Sequence, residues 1–207
     1  MANPWLSVAL RDYEGHMNSA VVHQLGALAE LFAEALALRG PESVAILGIA
    51  GGNGLDGIDS KVTKRVVGLD INPAYLDEVR RRYAHVAGLE LYCEDLVEPV
   101  AHVAPTDLVH AALVFEQAGT GACLDNAVAL VAPGGALSVV LQLPSETEAA
   151  VSASKFPSMQ NLKAHFSLVD SQWLCQTLTA RGLPMIHQTQ RALARGKAFW
   201  MGVFARE

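Results

Sequence analysis

Residues 46–54 read ILGIAGGNG, where an apolar run gives way to small residues with four glycines among the last seven positions. The run SVAILGI at 43–49 is typical of a strand that both faces of a sheet bury. Glycine after such a strand weakens the fold unless the backbone turns sharply or a second group lies against it. The stretch therefore predicts either a tight turn made for packing or a close approach of a ligand to the main chain.

Helical and strand-like segments alternate along the rest of the chain. Apolar spacing predicts a helix from Asn18 or Ser19 to about Arg39, and another over INPAYLDEVRRRY with Asn72 as its cap and Pro73 at its first position. Further strands are predicted at 65–70, 89–95, 107–115, 136–143, 185–193 and 198–205, and further helices at about 122–131 and 171–182. This order predicts an α/β fold with a doubly wound, mainly parallel seven-stranded sheet and an antiparallel last strand.

Composition limits the class of protein. The chain has 207 residues, 51% of them hydrophobic and 17% charged, which predicts a single globular domain. A formal charge of −6 argues against a nucleic-acid partner. The longest apolar stretch, 127–143, is broken by Pro133-Gly134-Gly135, so we expect no membrane partner.

Cysteine and histidine spacing carries two further expectations. The three cysteines are scattered without paired spacing, which favours a reducing compartment and a cytoplasmic location. The histidines show no metal-ligand spacing, so no metal site is predicted.

Acidic residues follow two neighbouring strands of the predicted sheet. Asp70 ends the second strand, sixteen residues after Gly54, and Asp95 ends the third. Ligands of open parallel sheets bind beyond the carboxyl ends of the strands, where an acid can accept the hydroxyls of a ribose. The glycine turn and the two acids together predict a nucleoside held across three strand ends.

On these residues the chain resembles the class I S-adenosylmethionine-dependent methyltransferases, over nearly its whole length. The family's glycine motif maps onto Gly48 to Gly54, its ribose acid onto Asp70 in VVGLDINP, and its third acid onto Asp95 in CEDL. DLVHAALVFEQ resembles the fourth motif, LVAPGGALSVVLQ resembles the segment after it, and the closing hairpin resembles the family's last two strands.

The resemblance implies a Rossmann-like methyltransferase fold, S-adenosyl-L-methionine as cofactor and transfer of a methyl group to a small-molecule acceptor, by a monomer or a homodimer. Residues 1–40 are expected to form a helical segment that covers the cofactor site, and 41–207 the cofactor-binding domain. The cofactor-binding residues that it implies, with one from the N-terminal segment, are Tyr13, Gly48, Ala50, Gly52, Asn53, Gly54, Asp70, Ile71, Asp95, Leu96, Ala111, Ala112 and Leu113. A bulky residue at position 52 is expected to fill the cofactor's space and abolish binding.

Two departures from the family pattern fall in the glycine motif. Gly48 stands where the family has an acid, and Ala50 stands where it has the first glycine. That acid often helps to hold the methionine amino group. Tyr13, Glu14 and His16 precede the first long helix and are candidates to fold over the site and replace it.

No catalytic residue stands out in the sequence. Methyl transfer needs a general base only if the acceptor loses a proton. His16 is a candidate because it lies in the expected cover, and Glu116 because it follows the fourth strand, although a helix-start acid explains Glu116 better. His110 lies in an apolar run and is better explained as a core histidine. Residues 144–165 lack periodicity and are a candidate substrate lid.

Two other functions compete. GNGLDG at 52–57 also reads as the G-x-G-x-x-G of a nicotinamide-dependent oxidoreductase, although the acid at Asp95 and the closing hairpin then have no role. Loss of the acid at position 48 also fits a non-catalytic module that binds the cofactor as a sensor or subunit.

Overall fold

The structure is a computed structural model that describes residues 3–19, 22, 24–146, 149–150 and 154–206. Its centre is a seven-stranded sheet in the order β3-β2-β1-β4-β5-β7-β6, parallel except for β7, which is antiparallel to both of its neighbours. The strands are β1 (Ser43–Leu47), β2 (Arg65–Asp70), β3 (Leu89–Cys93), β4 (Thr106–Ala112), β5 (Val131–Gln142), β6 (Met185–Ala192) and β7 (Ala198–Ala205). This confirms the predicted fold class.

Helices cover both faces of the sheet. They are α1 (Leu10–Met17), α2 (Gln24–Arg39), α3 (Pro73–Arg82), α4 (Phe115–Ala118), α5 (Ala122–Ala129), α6 (Pro157–Gln160) and α7 (Ser171–Ala180), with short 3-10 segments at Pro4–Ser7, Leu55–Gly57, Asn161–His165 and Ala194–Gly196. Asn72 accepts a hydrogen bond from the backbone of Ala74, as expected of a helix cap, and Pro73 follows it at the first helical position. No helix in the described part of the chain is long and apolar enough to cross a bilayer.

Strand residues alternate between two apolar cores because successive side chains point to opposite faces. Val44 and Ile46 pack with α2 and α3 on one face. Ala45 and Leu47 pack with α5 and α7 on the other. Both faces of the central strands are therefore buried, which explains why β1 and β2 read as continuous apolar runs.

The order of the strands places the site. The chain runs outward from β1 to β2 and β3, then crosses back to β4 on the other side of β1. A crevice opens at the carboxyl ends of β1 and β4, where the strand order reverses.

The structure differs from several predicted boundaries. The first long helix begins at Gln24 rather than at Asn18 or Ser19, which follow the separate helix α1; Ala20, Val21 and His23 lie outside the described residues. Strands β1, β3 and β4 end two or three residues before the predicted positions, since the backbone there already turns into the loops of the crevice.

One predicted turn was assigned wrongly. Pro133-Gly134-Gly135 was expected to separate a helix from the fifth strand, but β5 runs through it from Val131. The strand accommodates it with a register irregularity opposite Thr106 and Leu108. The predicted fourth strand, 107–115, overlaps the short helix α4 only at Phe115, and Glu116 lies in the first turn of that helix, as expected of a helix-start acid.

Candidate functional site

A cavity of about 180 Å³, counted as space open to the centres of water molecules, lies in the crevice at the carboxyl ends of the central strands. Most of the predicted cofactor-binding residues meet on its wall. They are Tyr13, Gly48, Ala50, Asp70, Ile71, Asp95, Leu96, Ala112 and Leu113. Asn53 lines a smaller neighbouring cavity, while Gly52, Gly54 and Ala111 line neither.

The turn after β1 has the left-handed backbone that its glycines predict. Gly48, Gly52 and Gly54 have φ values of +64°, +81° and +90°, and Ala50 has a φ of +47°. Ala50 is thus a non-glycine residue in a region that L-residues rarely adopt, at the position where the related motif has glycine.

The protein's own side chains fill the space that these glycines leave. A Cβ at position 52 would lie 2.5 Å from Tyr83 Cε2, and one at position 54 would lie 2.9 Å from Phe32 Cδ1. The expectation that a side chain at position 52 would enter the cofactor's space is therefore wrong, since it would first collide with Tyr83. The glycine turn is made for packing, and the backbone of Gly48 and Ala50 is its part that faces the cavity.

Asp70 fixes the turn to the end of β2. Its carboxylate accepts hydrogen bonds from the backbone N–H groups of Ala50 and Asn72, both at 2.9 Å. The residue is 6% exposed, and burial raises the pKa of its carboxyl although these N–H groups oppose the rise. Each oxygen keeps a lone pair after accepting one N–H, so the carboxylate can still accept hydrogen bonds from a ligand.

The N-terminal segment closes one side of the cavity. The side-chain amide of Asn72 donates to the carbonyl oxygens of Trp5 at 2.9 Å and Val8 at 3.3 Å. Trp5 and Tyr13, both on the cavity wall, pack edge to face with ring centroids 5.8 Å apart. The loop that follows Asp70 therefore also anchors the N-terminal segment.

Glu14 has a different role from the one proposed for it. It forms an ion pair with Arg82 of α3, whose Nη2 lies 3.1 Å from Glu14 Oε2, and its carboxylate occupies the space where a Cβ of residue 51 would stand. Glu14 thus ties α1 to the glycine turn. The two other arginines of α3, Arg80 and Arg81, pair with Asp77 and Glu78 on the same helix and form a solvated face.

The part of the cavity away from Asp70 carries a basic side chain and two amides. Lys197 is 6% exposed, and its Nζ donates to the carbonyl of Ala150 at 3.0 Å. Gln142 donates to the same carbonyl at 2.7 Å. His16 is buried nearby, and burial together with the charge of Lys197 lowers the pKa of its imidazole. His16 is therefore neutral at pH 7.

Apolar residues complete this second part, which we call the acceptor end. They come from α1 and from the segment after β5, and they are Met17, Met159, Leu162 and Phe166. The predicted lid, 144–165, therefore contributes residues to the cavity wall. Within it, Thr147, Glu148 and Val151 to Ala153 lie outside the described residues.

Two polar residues that the sequence singled out are buried behind the wall. Glu116 is 1% exposed, and its Oε1 accepts a hydrogen bond from the backbone N–H of Gln142 at 2.8 Å. Burial raises the pKa of Glu116 to about 7. His110 packs against Phe32 and is hydrogen-bonded to Ser138 at 3.1 Å, and burial lowers its pKa to about 4, which fits the expected core histidine.

Sequence reasoning missed several wall residues. The sequence analysis singles out neither Trp5 nor Tyr75 as a site residue, yet both line the cavity. Gln142 and Lys197 also line it. Gln142 lies at the carboxyl end of β5, a position that could have signalled it, whereas nothing in the sequence of the last hairpin distinguishes Lys197.

Comparison with known proteins supports the topology. No protein-family model matches the chain, and no curated protein matches it at a significant level. Solved structures do match. N-methyltransferase NodS from Bradyrhizobium japonicum WM9, in complex with S-adenosyl-L-homocysteine, superposes with a TM-score of 0.68 at 14% identity, covering 99% of both chains.

Magnesium protoporphyrin IX methyltransferase (ChlM) from Synechocystis PCC 6803, with bound S-adenosylmethionine, superposes with a TM-score of 0.71 at 12% identity, covering 99% of this chain and 95% of that one. The chain has the class I methyltransferase fold. The [4+2]-cyclase SpnF also matches, with a TM-score of 0.67 at 11% identity over 91% of this chain and 83% of that one. The fold is thus shared with a protein named for a different reaction.

The residues on the wall fit the cofactor found in such structures. Asp70 offers a buried carboxylate with lone pairs to spare, and within the described part of the chain the phenol of Tyr75 is buried without a hydrogen-bond partner. Ile71, Leu96 and Leu113 supply apolar surface beside these groups. This is the combination of a few directed polar groups on an apolar wall that small-molecule sites share.

Proposed function

We propose that the chain is an S-adenosyl-L-methionine-dependent methyltransferase that acts on a small-molecule acceptor. The observation that carries the proposal is the position of Asp70. Its carboxylate ends β2, lies on the wall of the cavity at the switch point of the sheet and is held in place by the backbone of the neighbouring turn.

The first part of the cavity would hold the cofactor. Asp70 would accept hydrogen bonds from the ribose, while Ile71 and Leu96 would flank the adenine and Asp95 would accept from its amino group. When bound, the cofactor supplies a methyl group that its positive sulfonium activates. The chain's contribution is then alignment and exclusion of water, because the cofactor carries the hard chemistry.

Trp5, Tyr13 and the bonds of Asn72 provide that exclusion. The two rings pack against each other on the cavity wall, and the Asn72 amide binds the backbone of Trp5. A dry site strengthens electrostatic interactions between the bound molecules and the wall. This supports a role for residues 1–40 as a cover of the cofactor site.

The acceptor end would receive the second substrate. Its wall is mainly apolar, with Gln117, Gln142 and Lys197 as polar groups. His16 is the described wall residue best suited to take a proton from the acceptor, since its neutral imidazole has a free nitrogen lone pair at pH 7. Glu116 does not line this cavity and is assigned no contact with substrate.

Close packing against Gly48 accompanies the absence of an acid at this position. A Cβ at Gly48 would lie 3.1 Å from Val114 Cγ2, so an acidic side chain there needs Val114 to move. Tyr13 is the substitute that we assign, since it lines the cavity and Glu14 is engaged by Arg82. Tyr13 would therefore help to hold the methionine end of the cofactor.

The proposal is tested by calorimetric titration with S-adenosylmethionine, S-adenosylhomocysteine and NADH in parallel. We expect both adenosyl sulfur compounds to bind and NADH to give no heat. Binding of NADH alone would instead support the oxidoreductase hypothesis, which the antiparallel β7 and the acid Asp95 already disfavour.

A non-catalytic cofactor-binding module is the second candidate, favoured by the absence of an acid at Gly48. It shares the cofactor site but not the reaction. Incubation with methyl-labelled cofactor and a pool of small metabolites separates the two. Label in a small-molecule product supports the enzyme, whereas tight cofactor binding with no labelled product supports the module.

A further inference from the structure

Tyr75 has an unusual position for a tyrosine in the first turn of a helix. Its side chain is 1% exposed, it lines the same cavity as Asp70, and its hydroxyl has no hydrogen-bond partner among the described residues. Buried tyrosine hydroxyls normally have a partner, because leaving one unpaired gives up its hydrogen bonds to water.

The surroundings of Tyr75 make its hydroxyl a hydrogen-bond donor. The ring stacks on Tyr13 with centroids 6.5 Å apart, and the nearby charges are the carboxylates of Asp70, Glu14 and Asp12. Burial and these negative charges raise the pKa of Tyr75, so the phenol keeps its proton over the physiological range.

Asp70 is an acceptor and the Tyr75 hydroxyl is a donor, so one type of ligand group satisfies both. A hydroxyl donates one hydrogen bond and accepts others. A ligand hydroxyl can therefore donate to the Asp70 carboxylate and accept from Tyr75, whereas an ammonium group or a carbonyl can do only one of the two.

We propose that Tyr75 is a cofactor-binding residue whose hydroxyl donates to a ribose hydroxyl that Asp70 also holds. This rests on the proposed function, since it requires the adenosyl cofactor in the cavity. It adds a specificity determinant from α3 to the strand-end residues of the site, and it explains why a phenol is buried there unpaired.

The first test compares the Tyr75→Phe variant with wild type by calorimetric titration of S-adenosylhomocysteine. We expect affinity to fall about tenfold, since one directed hydrogen bond is lost while the ring is kept. Tyr92→Phe is the matched control: its hydroxyl donates to Glu90 on β3 and does not line the cavity, so affinity should not change.

Unfolding in urea without ligand measures the stability of the same variant, which should not fall as its affinity does. Removing an unpaired buried hydroxyl should leave Tyr75→Phe as stable as wild type or more stable, although it binds S-adenosylhomocysteine more weakly. A ligand-free variant that is less stable than wild type would mean that the hydroxyl has a partner inside the protein, and this would overturn the proposal.

Analogues of S-adenosylhomocysteine that lack the 2′- or the 3′-hydroxyl identify the group. For at least one analogue, the loss of affinity should be smaller in Tyr75→Phe than in wild type, because the shared hydrogen bond is already absent. Two results would overturn the role of Tyr75 but leave the proposed function intact. One is that each analogue loses as much affinity in Tyr75→Phe as in wild type. The other is that wild type and Tyr75→Phe bind S-adenosylhomocysteine with equal affinity. Failure of wild type to bind S-adenosylhomocysteine overturns the proposed function as well.

Discussion

The two ends of the cavity are built in different ways. At the cofactor end, the wall consists of strand ends and turns whose backbone groups are fixed by Asp70 through two 2.9 Å hydrogen bonds. At the acceptor end, much of the wall belongs to residues 154–166, which pack on the N-terminal segment rather than on the sheet. Met159 and Leu162 form a small separate core there with Val8, bordered by Trp5 and Phe156.

The cofactor end is therefore determined by the fold, whereas the acceptor end is determined by segments particular to this chain. Sheet topology dictates where the carboxyl ends of β1, β2 and β4 meet, so the cofactor end follows from the fold. The acceptor end depends on two segments far apart in sequence that hold each other. Loops and terminal segments of this kind are where substrate specificity usually varies.

The largest expected effect sharpens the view that the turn after β1 is packed and rigid. Gly52→Ala should lower the free energy of unfolding by about 2–4 kcal/mol, since its Cβ would meet Tyr83 and φ is +81°. Urea denaturation measures it. Gly57→Ala, where a Cβ meets nothing within 4 Å, is the control and should change stability by less than about 1 kcal/mol. Equal stability of the two variants would contradict the packing explanation of the turn.

The next prediction concerns the acid of the cofactor end. Asp70→Ala should weaken S-adenosylhomocysteine binding by about 1–3 kcal/mol through lost charge-assisted hydrogen bonds. It should also lower stability, because Ala50 and Asn72 lose their acceptor.

Asp170→Ala separates these two effects. Asp170 also accepts two backbone N–H groups, but at the cap of α7. This variant should lose stability and keep its affinity for S-adenosylhomocysteine. An Asp70→Ala protein that is folded and binds with unchanged affinity would show that the ribose is held elsewhere.

Glu116 lies behind the acceptor end, and its effect depends on pH. Burial raises the pKa of its carboxyl to about 7 in the folded chain, against 4.5 for an exposed glutamate. Between these values the unfolded chain has lost the proton that the folded chain keeps, so the free energy of unfolding falls as pH rises from about 4.5 to 7.

Glu116→Gln should remove this dependence. The variant should match wild type near pH 4 and exceed its stability by about 3 kcal/mol at pH 8, measured as the difference between two urea titrations. A difference that is independent of pH would mean that Glu116 does not titrate in this range.

The smallest effect tests how loosely the acceptor end is attached. Ser158 donates to Asp12 of α1 at 2.7 Å, a hydrogen bond between the two segments. Ser158→Ala should cost less than about 1 kcal/mol of global stability, yet it should speed hydrogen exchange in residues 154–166. Ser7→Ala removes a local bond to Pro4 and should leave that exchange unchanged. Faster exchange in β1 or β2 as well would mean that the two ends are not independent.

The sequence predicted the fold and most of the cofactor end for a physical reason. Buried strands, caps and left-handed turns depend on local residue types, so SVAIL, Asn72-Pro73 and the glycine motif identify β1, the start of α3 and the turn. Asp70 could be placed because parallel strands end at one edge of the sheet. The packing behind the turn could not be predicted, since no sequence pattern shows that Tyr83 lies against Gly52 and Phe32 against Gly54.

Two candidates lose support through contacts that are distant in sequence. Glu116 was a candidate for catalysis from its position after the fourth strand, but the structure turns it toward Gln142 and away from the cavity wall. Glu14 was a candidate to replace the lost acid, but it is paired with Arg82. Each outcome depends on a partner that only the packed structure brings near.

The amino-acid sequence by itself determined the alternation of strands and helices, the left-handed turn and the acids at the strand ends, because these follow from local conformational preferences and the burial of apolar runs. Only the tertiary structure decided which groups face the cavity: Tyr75 and Lys197 toward it, Glu116 behind it. The direction of a side chain is set by packing between elements remote in sequence, and that packing minimises the free energy of the whole chain rather than of any one segment.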